Sequence, residues 1–592
     1  MIPDVTPNGV FYLPPTGWLT SFYNLPFFFL VSFIYIFLFL KTKQLYVADD
    51  RIFHLERLEE AYEDMKSGHL FPAYVSTYSF LRIGQAINSF YPSFILCLYA
   101  ILRIIVKSPI LSLYLLIFLE QFLGLIIAFY AGMKIFDGIE RRAFVFAIVF
   151  RLSSYVCYND FMRMDIGESW ALVFLPLTFC GLYLITVKNE YINGILNMTI
   201  GLTLQTYCHI LTPVTTVVML FIFYLVSLSI QKEKRKVILA VLLAALIYFI
   251  TCLAIFVPIL HMSKAGIVTP SISQLSNYSL TFSKLISYSL SNSTQWGDHN
   301  IGLVLVLTLL LGIVSYRGQK SLTKSYFLLG WLFTILSTNL FPWKLLSGTP
   351  VDMLQFPWRL LIFGTLFLSL YLTSVFECNF NSRYSYLVVA LLSLTLVLGA
   401  QSQLKITENS QYHVASSISD KENPWGTFIN SQNYTSVLSK NRSQSYSARF
   451  ADYVPQKSKK DLNSIYEHYV VIGDKKFKLN RNKIKSGYQS ATFTLNQGQI
   501  KKGMQIELPF LIYNENDYKL YVNGKRTKIK VNQSSCVQFR AMQNSNVIKA
   551  KIEFITPHLF IVARTISLVS LLTLFAFGVI ARYKKGIKVD NF

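Results

Sequence analysis

The sequence predicts a polytopic α-helical membrane protein of about twelve transmembrane helices, with an all-β domain placed before the last helix. Three observations predict it. The 592-residue chain is 53% hydrophobic and only 15% charged, more apolar and less charged than an ordinary soluble domain. Apolar runs long enough to cross a bilayer recur along it, and only helices or closed barrels satisfy backbone polar groups there. One long polar stretch, 402–556, interrupts that pattern with short alternating runs.

The first apolar run, 25–40, lacks a preceding basic segment and a small-residue cleavage site. It is therefore read as an uncleaved span. Lys41 and Lys43 follow, then Asp49 and Asp50. Residues 51–66 interleave Glu59, Glu60, Glu63 and Asp64 with Leu58, Ala61, Tyr62 and Met65, which predicts an amphipathic helix lying on the membrane surface. Residues 91–106 are apolar but short and carry Arg103, so they are read as surface-embedded or re-entrant. The first outer loop then runs over 41–108.

Further crossings are expected at 109–133, 143–158, 170–187, 192–208, 210–230, 237–260, 301–316, 326–340, 360–376, 386–401 and 559–580. The basic loop 231–236 is the clearest cytoplasmic signal, supported by Arg141, Arg142, Arg317, Lys320, Arg383 and the basic tail from Arg582 to Lys588. Both termini then lie in the cytoplasm. The paired charges Glu120 and Arg151 sit inside adjacent spans at similar depth, and buried charges are costly unless paired, so they are expected to meet.

Residues 402–556 read as an extracellular β-rich domain, since long loops escape the positive-inside rule. Within it, 518–522 and 527–531 are alternating strand patterns, and Asn523-Gly524 between them is a type I′ hairpin signal. The domain plan is thus 1–401 membrane domain, 402–556 β-domain, and 557–592 final helix with a basic cytoplasmic tail.

A net charge of +24 would point to nucleic acid in a soluble protein. Here much of the excess sits in short loops beside apolar runs, where it orients the chain and meets anionic lipid; no nucleic-acid motif accompanies it. The seven cysteines lie mostly in apolar runs and form no disulfide framework, and no zinc-ligand spacing occurs.

Four polar clusters fall on the outer side in this topology: Asp49 and Asp50 with His54 and Arg57; Arg163, Asp165 and Glu168; His209; and Gln355, Trp358 and Arg359. Asp50, His54 and Arg57 share one helix face, since spacings of three and four bring side chains together. Shared sidedness makes these the candidate residues of one outward-facing site. Structural readings stand beside the functional ones. Asp165 and Glu168 also suit a helix N-terminus, Trp358 and Arg359 suit a headgroup anchor, and His209 suits a hydrogen-bonded turn.

The stretch Asp50-Arg51-Ile52-Phe53-His54-Leu55-Glu56-Arg57 resembles the motif that follows the first span in a bacterial membrane family. That family is named for a 6-pyruvoyl-tetrahydropterin synthase-related domain and is similar to YfhO-like proteins. The run from Arg163 to Glu168 with Pro176-Leu177, His209-Ile210-Leu211-Thr212, and Gln355-Phe356-Pro357-Trp358-Arg359 resemble its further elements. The wider resemblance is to GT-C glycosyltransferases. It implies a bacterial plasma-membrane enzyme that moves a sugar from a polyprenyl-phosphate donor to a cell-envelope glycan or teichoic-acid-type acceptor. Carried over, Asp50 takes the catalytic first-loop carboxylate, with Asp49 and His54 beside it, and Asp165 or Glu168 the second acidic position. Arg359 contacts the lipid phosphate, with Arg57, Arg163, His209, Gln355 and Trp358 as further substrate contacts. A divalent metal fits such chemistry, but the second outer loop lacks an Asp-x-Asp. The alternative is a non-enzymatic carrier or scaffold for lipid-linked glycan, which would place charges on both sides of a through-path.

Overall fold

Apolar runs become helices and the polar stretch becomes two sheets, but the boundary between them passes through the first loop. The computed structural model describes residues 24–46, 50–231, 233–269, 275–295, 297–376, 390–391, 393–394, 397–399, 428–438, 450–496 and 498–589. The expected run 386–401 lies largely outside them.

Among the described residues, four helices are long and apolar enough to cross a membrane: Pro109–Ile135, Ile166–Lys188, Pro357–Val375 and His558–Ile580. A bent pair, Lys234–Thr251 with Leu253–Ala265, turns by 63° at its break. Shorter apolar helices are Asn24–Phe37, Phe94–Val106, Leu211–Ser227, Leu303–Gly318 and Ser321–Leu336. The first helix, α1 (Asn24–Thr42), turns Phe29, Phe33 and Phe37 outward while Phe28, Tyr35 and Ile36 are buried.

The expected run 143–158 is not one helix. It ends at Arg151 and resumes as Ser154–Tyr158, a π-turn over Asn159–Arg163 and then a helix over Ile166–Val173. Arg151 does meet Glu120, at 3.1 Å. The Gln121 amide oxygen accepts from Arg151 Nε and Nη2 at 3.1 and 2.9 Å. The pair is wholly buried, so it is held by hydrogen bonds as well as by charge.

The helix α2 (Arg51–Lys66) corrects a prediction. It forms, but it is buried nearly all round rather than lying on a membrane surface. Three of its acidic residues, Glu56, Glu60 and Asp64, are buried and organise the backbone that follows. Glu60 accepts from the amides of Thr77, Tyr78 and Ser79 at 2.6–3.2 Å. Glu56 accepts from Phe80 N at 2.9 Å, and Asp64 from Ala73 N at 2.7 Å. A typical hydrogen bond contributes about 0.5–1.5 kcal/mol net, so these five amides together hold an irregular loop. That loop contains three successive left-handed residues, Phe80, Leu81 and Arg82, ahead of Gly84 at φ +75. A Cβ at Gly84 would come within 2.6 Å of the Phe510 ring, so only glycine lets the loop close on the β-domain.

Residues 469–554 form two five-stranded antiparallel sheets. One has the order β10-β11-β7-β3-β4, from Lys530–Val531, Cys536–Arg540, Gln505–Leu511, Tyr469–Ile472 and Lys475–Lys478. The other has the order β5-β6-β12-β8-β9, from Ile484–Gly487, Ser490–Leu495, Ile548–Phe554, Tyr518–Val522 and Lys525–Thr527. Along β12, Ile548, Ala550, Ile552 and Phe554 are buried while Lys549 and Lys551 are exposed, as period-two patterning requires. Asn523 and Gly524 take φ +48 and +82 between β8 and β9, the type I′ geometry the sequence predicts. The expected strand 527–531 splits, because β9 ends at Thr527 and β10 pairs into the other sheet.

The sandwich core includes Val75, Leu81, Ile83, Ala86 and Phe90 from the first loop. Leu511 N donates to Ile83 O at 2.8 Å, Arg82 Nη1 to Ile484 O at 2.8 Å, and the Gln85 side chain to the carbonyls of Phe450 and Asp452. A small sheet pairs Gln44–Tyr46 with Phe428–Asn430. The first loop therefore clamps both ends of the polar stretch.

Burial, with Glu60 close by, pushes the Asp64 carboxyl up to about 9. In the unfolded chain it titrates near 4. The folded state thus prefers the protonated form, and the associated stability is present below about pH 4 and lost as pH rises toward 9. Melting temperature should fall between pH 5 and 9, and Asp64→Asn should flatten that fall. Parallel wild-type and variant curves would remove Asp64 from the account.

Candidate active site

The site is built where the first loop meets the broken helix 140–173. The π-turn Asn159–Arg163 and left-handed Met164 redirect the chain so that Arg163 points back over its own start. π-turns inside helices recur at functional sites. Arg163 is about 1% exposed. Its Nη1 donates to Glu168 Oε2 at 2.7 Å and to Asn159 Oδ1 at 3.0 Å. Its Nη2 donates to Asp165 Oδ2 at 3.0 Å and to Asp50 Oδ2 at 3.2 Å. One guanidinium thus holds carboxylates from two distant segments.

The carboxylates differ in access. Asp165 and Glu168 are buried, whereas the Asp50 side chain is 44% exposed. Asp50 is also the N-cap residue of α2, yet its side chain makes no cap bond; it turns to Arg163 instead. Asp165 serves both readings given above. Its Oδ1 caps the helix beginning at Ile166 by accepting from Glu168 N at 3.1 Å, and the same oxygen lies 3.2 Å from His54 Nε2 and accepts from Tyr91 Oη at 3.2 Å. Burial alone would raise the Asp165 carboxyl, but His209, Arg163 and His54 beside it outweigh burial and hold it well below the usual range. Burial lowers His209 to about 4, with Asp165 and Glu168 opposing the shift. Its Nδ1 lies 2.8 Å from Thr212 Oγ1, and its Nε2 lies 3.9 Å from Asp165.

The fourth cluster closes the far side. Arg359 Nη1 donates to Gln355 Oε1 at 2.8 Å and Leu354 O at 3.2 Å. Its Nε stands 3.2 Å from Glu168 Oε2, in ion-pair range but off the line of a hydrogen bond. Trp358 lies under Arg163, with the guanidinium carbon 4.8 Å from the ring centre, and stacks on His299 at 3.7 Å. A third arginine contributes indirectly. Arg57 turns to Asn88 Oδ1 and to the carbonyls of Tyr91 and Pro92, under the Tyr91 ring at 4.2 Å. It positions Tyr91 rather than facing the carboxylates. At Gly167 a Cβ would sit 2.9 Å from Cys208 O and 3.0 Å from the Tyr91 ring, so glycine admits that ring.

Asp50, His54, Arg163, Asp165, Glu168, His209, Gln355, Trp358 and Arg359 therefore converge, with Arg57 one layer behind. Asp49 lies outside the described residues. Sequence reasoning missed Tyr91, Asn159, Tyr155 and His299. Tyr155 donates to Glu168 Oε1 at 3.0 Å. His299 carried a signal, since it stands at the end of a polar loop before an apolar run.

Among the described residues, no group of three or more His, Cys, Asp or Glu side chains is arranged to hold a metal ion. Arg163 takes the place among the carboxylates that a cation would need, so these residues as arranged do not fit a divalent ion.

No protein-family model and no curated protein matches the chain, so the family resemblance rests on the motifs alone. Solved structures do match. The arabinofuranosyltransferase AftD from Mycobacteria is similar at 13% identity and TM-score 0.40, over 64% of this chain and 26% of AftD. The archaeal oligosaccharyltransferase AglB from Archaeoglobus fulgidus, in complex with an inhibitory peptide and a dolichol-phosphate, is similar at 12% identity and TM-score 0.34. That match covers 65% of this chain and 56% of AglB. The chain thus spans about a quarter of the length of AftD and just over half that of AglB.

Removing one partner of a buried ion pair costs about 3–5 kcal/mol. Arg163→Ala should destabilise by at least that amount in denaturant titration, because two buried carboxylates lose their cation. Glu168→Gln in the same chain should restore part of the loss. A variant as stable as wild type would show that Arg163 does not hold the site.

Proposed function

We propose that the chain is a GT-C-like, inverting membrane glycosyltransferase that moves a sugar from a polyprenyl-phosphate donor to a cell-envelope acceptor. The observation that carries this reading is Asp50. It is a half-open carboxylate fixed by a buried arginine, with two further buried carboxylates and a second arginine behind it. A knot built only for stability has no need of an accessible member. The motif resemblance supports the same reading.

The chemistry follows from the residue types. Asp50 takes the proton of the acceptor hydroxyl, and the acceptor oxygen forms a bond to the anomeric carbon as the bond from that carbon to the phosphate oxygen breaks. Single displacement inverts the carbon. The departing phosphate gains charge, and guanidinium groups stabilise it through charge-assisted hydrogen bonds. Arg359 is assigned that contact, with Gln355 fixing its plane. His54 and Asp165 hold the wall, and Trp358 offers an aromatic surface beside it. In this reading the protein lies in a bacterial plasma membrane with both termini cytoplasmic, the site and β-domain face outward, and residues 402–556 help position the acceptor.

Loss of a positioned general base costs about 10²–10⁴ in rate. Asp50→Asn should lower sugar transfer from a polyprenyl-phosphate donor in proteoliposomes by that factor, with melting temperature unchanged. A deletion strain carrying this variant should lack the same envelope sugar as the deletion alone. Full activity in both assays would remove Asp50 from the mechanism and favour a carrier or scaffold.

A further inference from the structure

A concavity that none of the three carboxylates lines has Tyr91 in its wall. It is a groove of about 300 Å³. Its walls come from four parts of the chain: the first loop at Phe71 and 88–97, the helix Tyr191–Cys208, the bent pair at Ala254–Pro258, and the final helix at Arg564–Leu571. Phe94, Leu204, Ile255, Pro258, Leu568 and Leu571 make most of it apolar.

The 63° bend opens this space, and the backbone groups freed at the break already have partners. Ala254 N donates to Ser567 Oγ at 2.9 Å, and Tyr207 Oη donates to Thr251 O at 3.0 Å. The bend therefore needs no ligand to hold it. What lacks a match is Arg564. Its guanidinium lies 4.7 Å over the Phe71 ring and has no carboxylate in ion-pair range among the described residues. It stands inside the apolar stretch His558–Ile580, where only 17% of the residues in the most apolar 18-residue window are buried against the protein and the rest are left to lipid. A cation in that setting calls for an anion, and the groove beside it calls for hydrocarbon.

We infer that this groove binds one membrane phospholipid, with its phosphate on Arg564 and one acyl chain along the wall between the bent pair and the final helix. The volume sits at the lower end of ligand pockets, which suits a single chain. Tyr91 and Arg57 stand between the groove and Asp165. A phosphate on Arg564 is thereby kept from the reacting carboxylates, which separates this lipid from the donor. The occupant ties the final helix to the first loop.

The test is native mass spectrometry of the full chain, purified from membranes and stripped with detergent. Wild type and Arg564→Lys should each retain one phospholipid. Arg564→Gln and the groove-filling Ala254→Phe should retain about tenfold less or lower still, a change equal to about 1.4 kcal/mol or more. Size-exclusion profile and circular dichroism confirm folding, and either loss variant alone suffices if the other fails to fold. Equal retention by Arg564→Gln or by Ala254→Phe would overturn the inference. So would a polyprenyl phosphate as the retained species, or complete displacement of the lipid by inorganic phosphate. Sugar transfer is measured separately, so failure here leaves the proposed activity untouched, and the reverse.

Discussion

Three carboxylates share one buried guanidinium, and the placement of every nearby element follows from that. Asp50 arrives at the start of the first-loop helix, while Asp165 and Glu168 begin the helix after the π-turn. One cation cannot neutralise three carboxylates in a medium where unpaired charge is costly. The surroundings supply the balance through His54 beside Asp165, Arg359 beside Glu168, and the solvent exposure of Asp50. Asp50 is the most accessible of the three carboxylates, and that access is what the proposed mechanism uses.

The rest of the architecture keeps that arrangement in register. The first-loop helix spends its acidic side chains on backbone amides of the loop that follows it, and the loop inserts into the β-sandwich core. Movement of the β-domain would therefore pull on the helix whose N-cap is Asp50. At the other end, the sandwich meets the bent helix pair through Asp517 and His261 at 2.7 Å. The β-sandwich and the carboxylate geometry are mechanically linked in this fold.

Much of this was legible in the sequence for a local reason. The Asn523-Gly524 hairpin needs only its own backbone preferences, and apolar runs declare their length directly. The four polar clusters were legible because each stands at or near the end of an apolar run, and the structure brings Asp50, His54, Arg163, Asp165, Glu168, His209 and Arg359 together. What sequence could not show depends on partners far along the chain. Residues 51–66 carry a pattern of surface charge, yet Glu60 is covered by Thr77–Ser79 and the loop beyond by strands some 400 residues later. Neither the break at Leu152-Ser153 nor the π-turn at Asn159 leaves a compositional trace, so the sequence shows neither the interruption of the 143–158 run nor the turning of Arg163. Arg57 shares the predicted face with Asp50 and His54, but the carbonyls of Tyr91 and Pro92 compete for it and win.

The most direct measurement is a cryo-EM structure of the full chain with a non-transferable polyprenyl-phosphate sugar analogue. The account predicts the analogue's phosphate within about 3 Å of Arg359, with the anomeric carbon facing the Asp50 carboxylate across an open acceptor path. A phosphate bound elsewhere, with Asp50 and Arg359 both out of reach of the sugar, would contradict it.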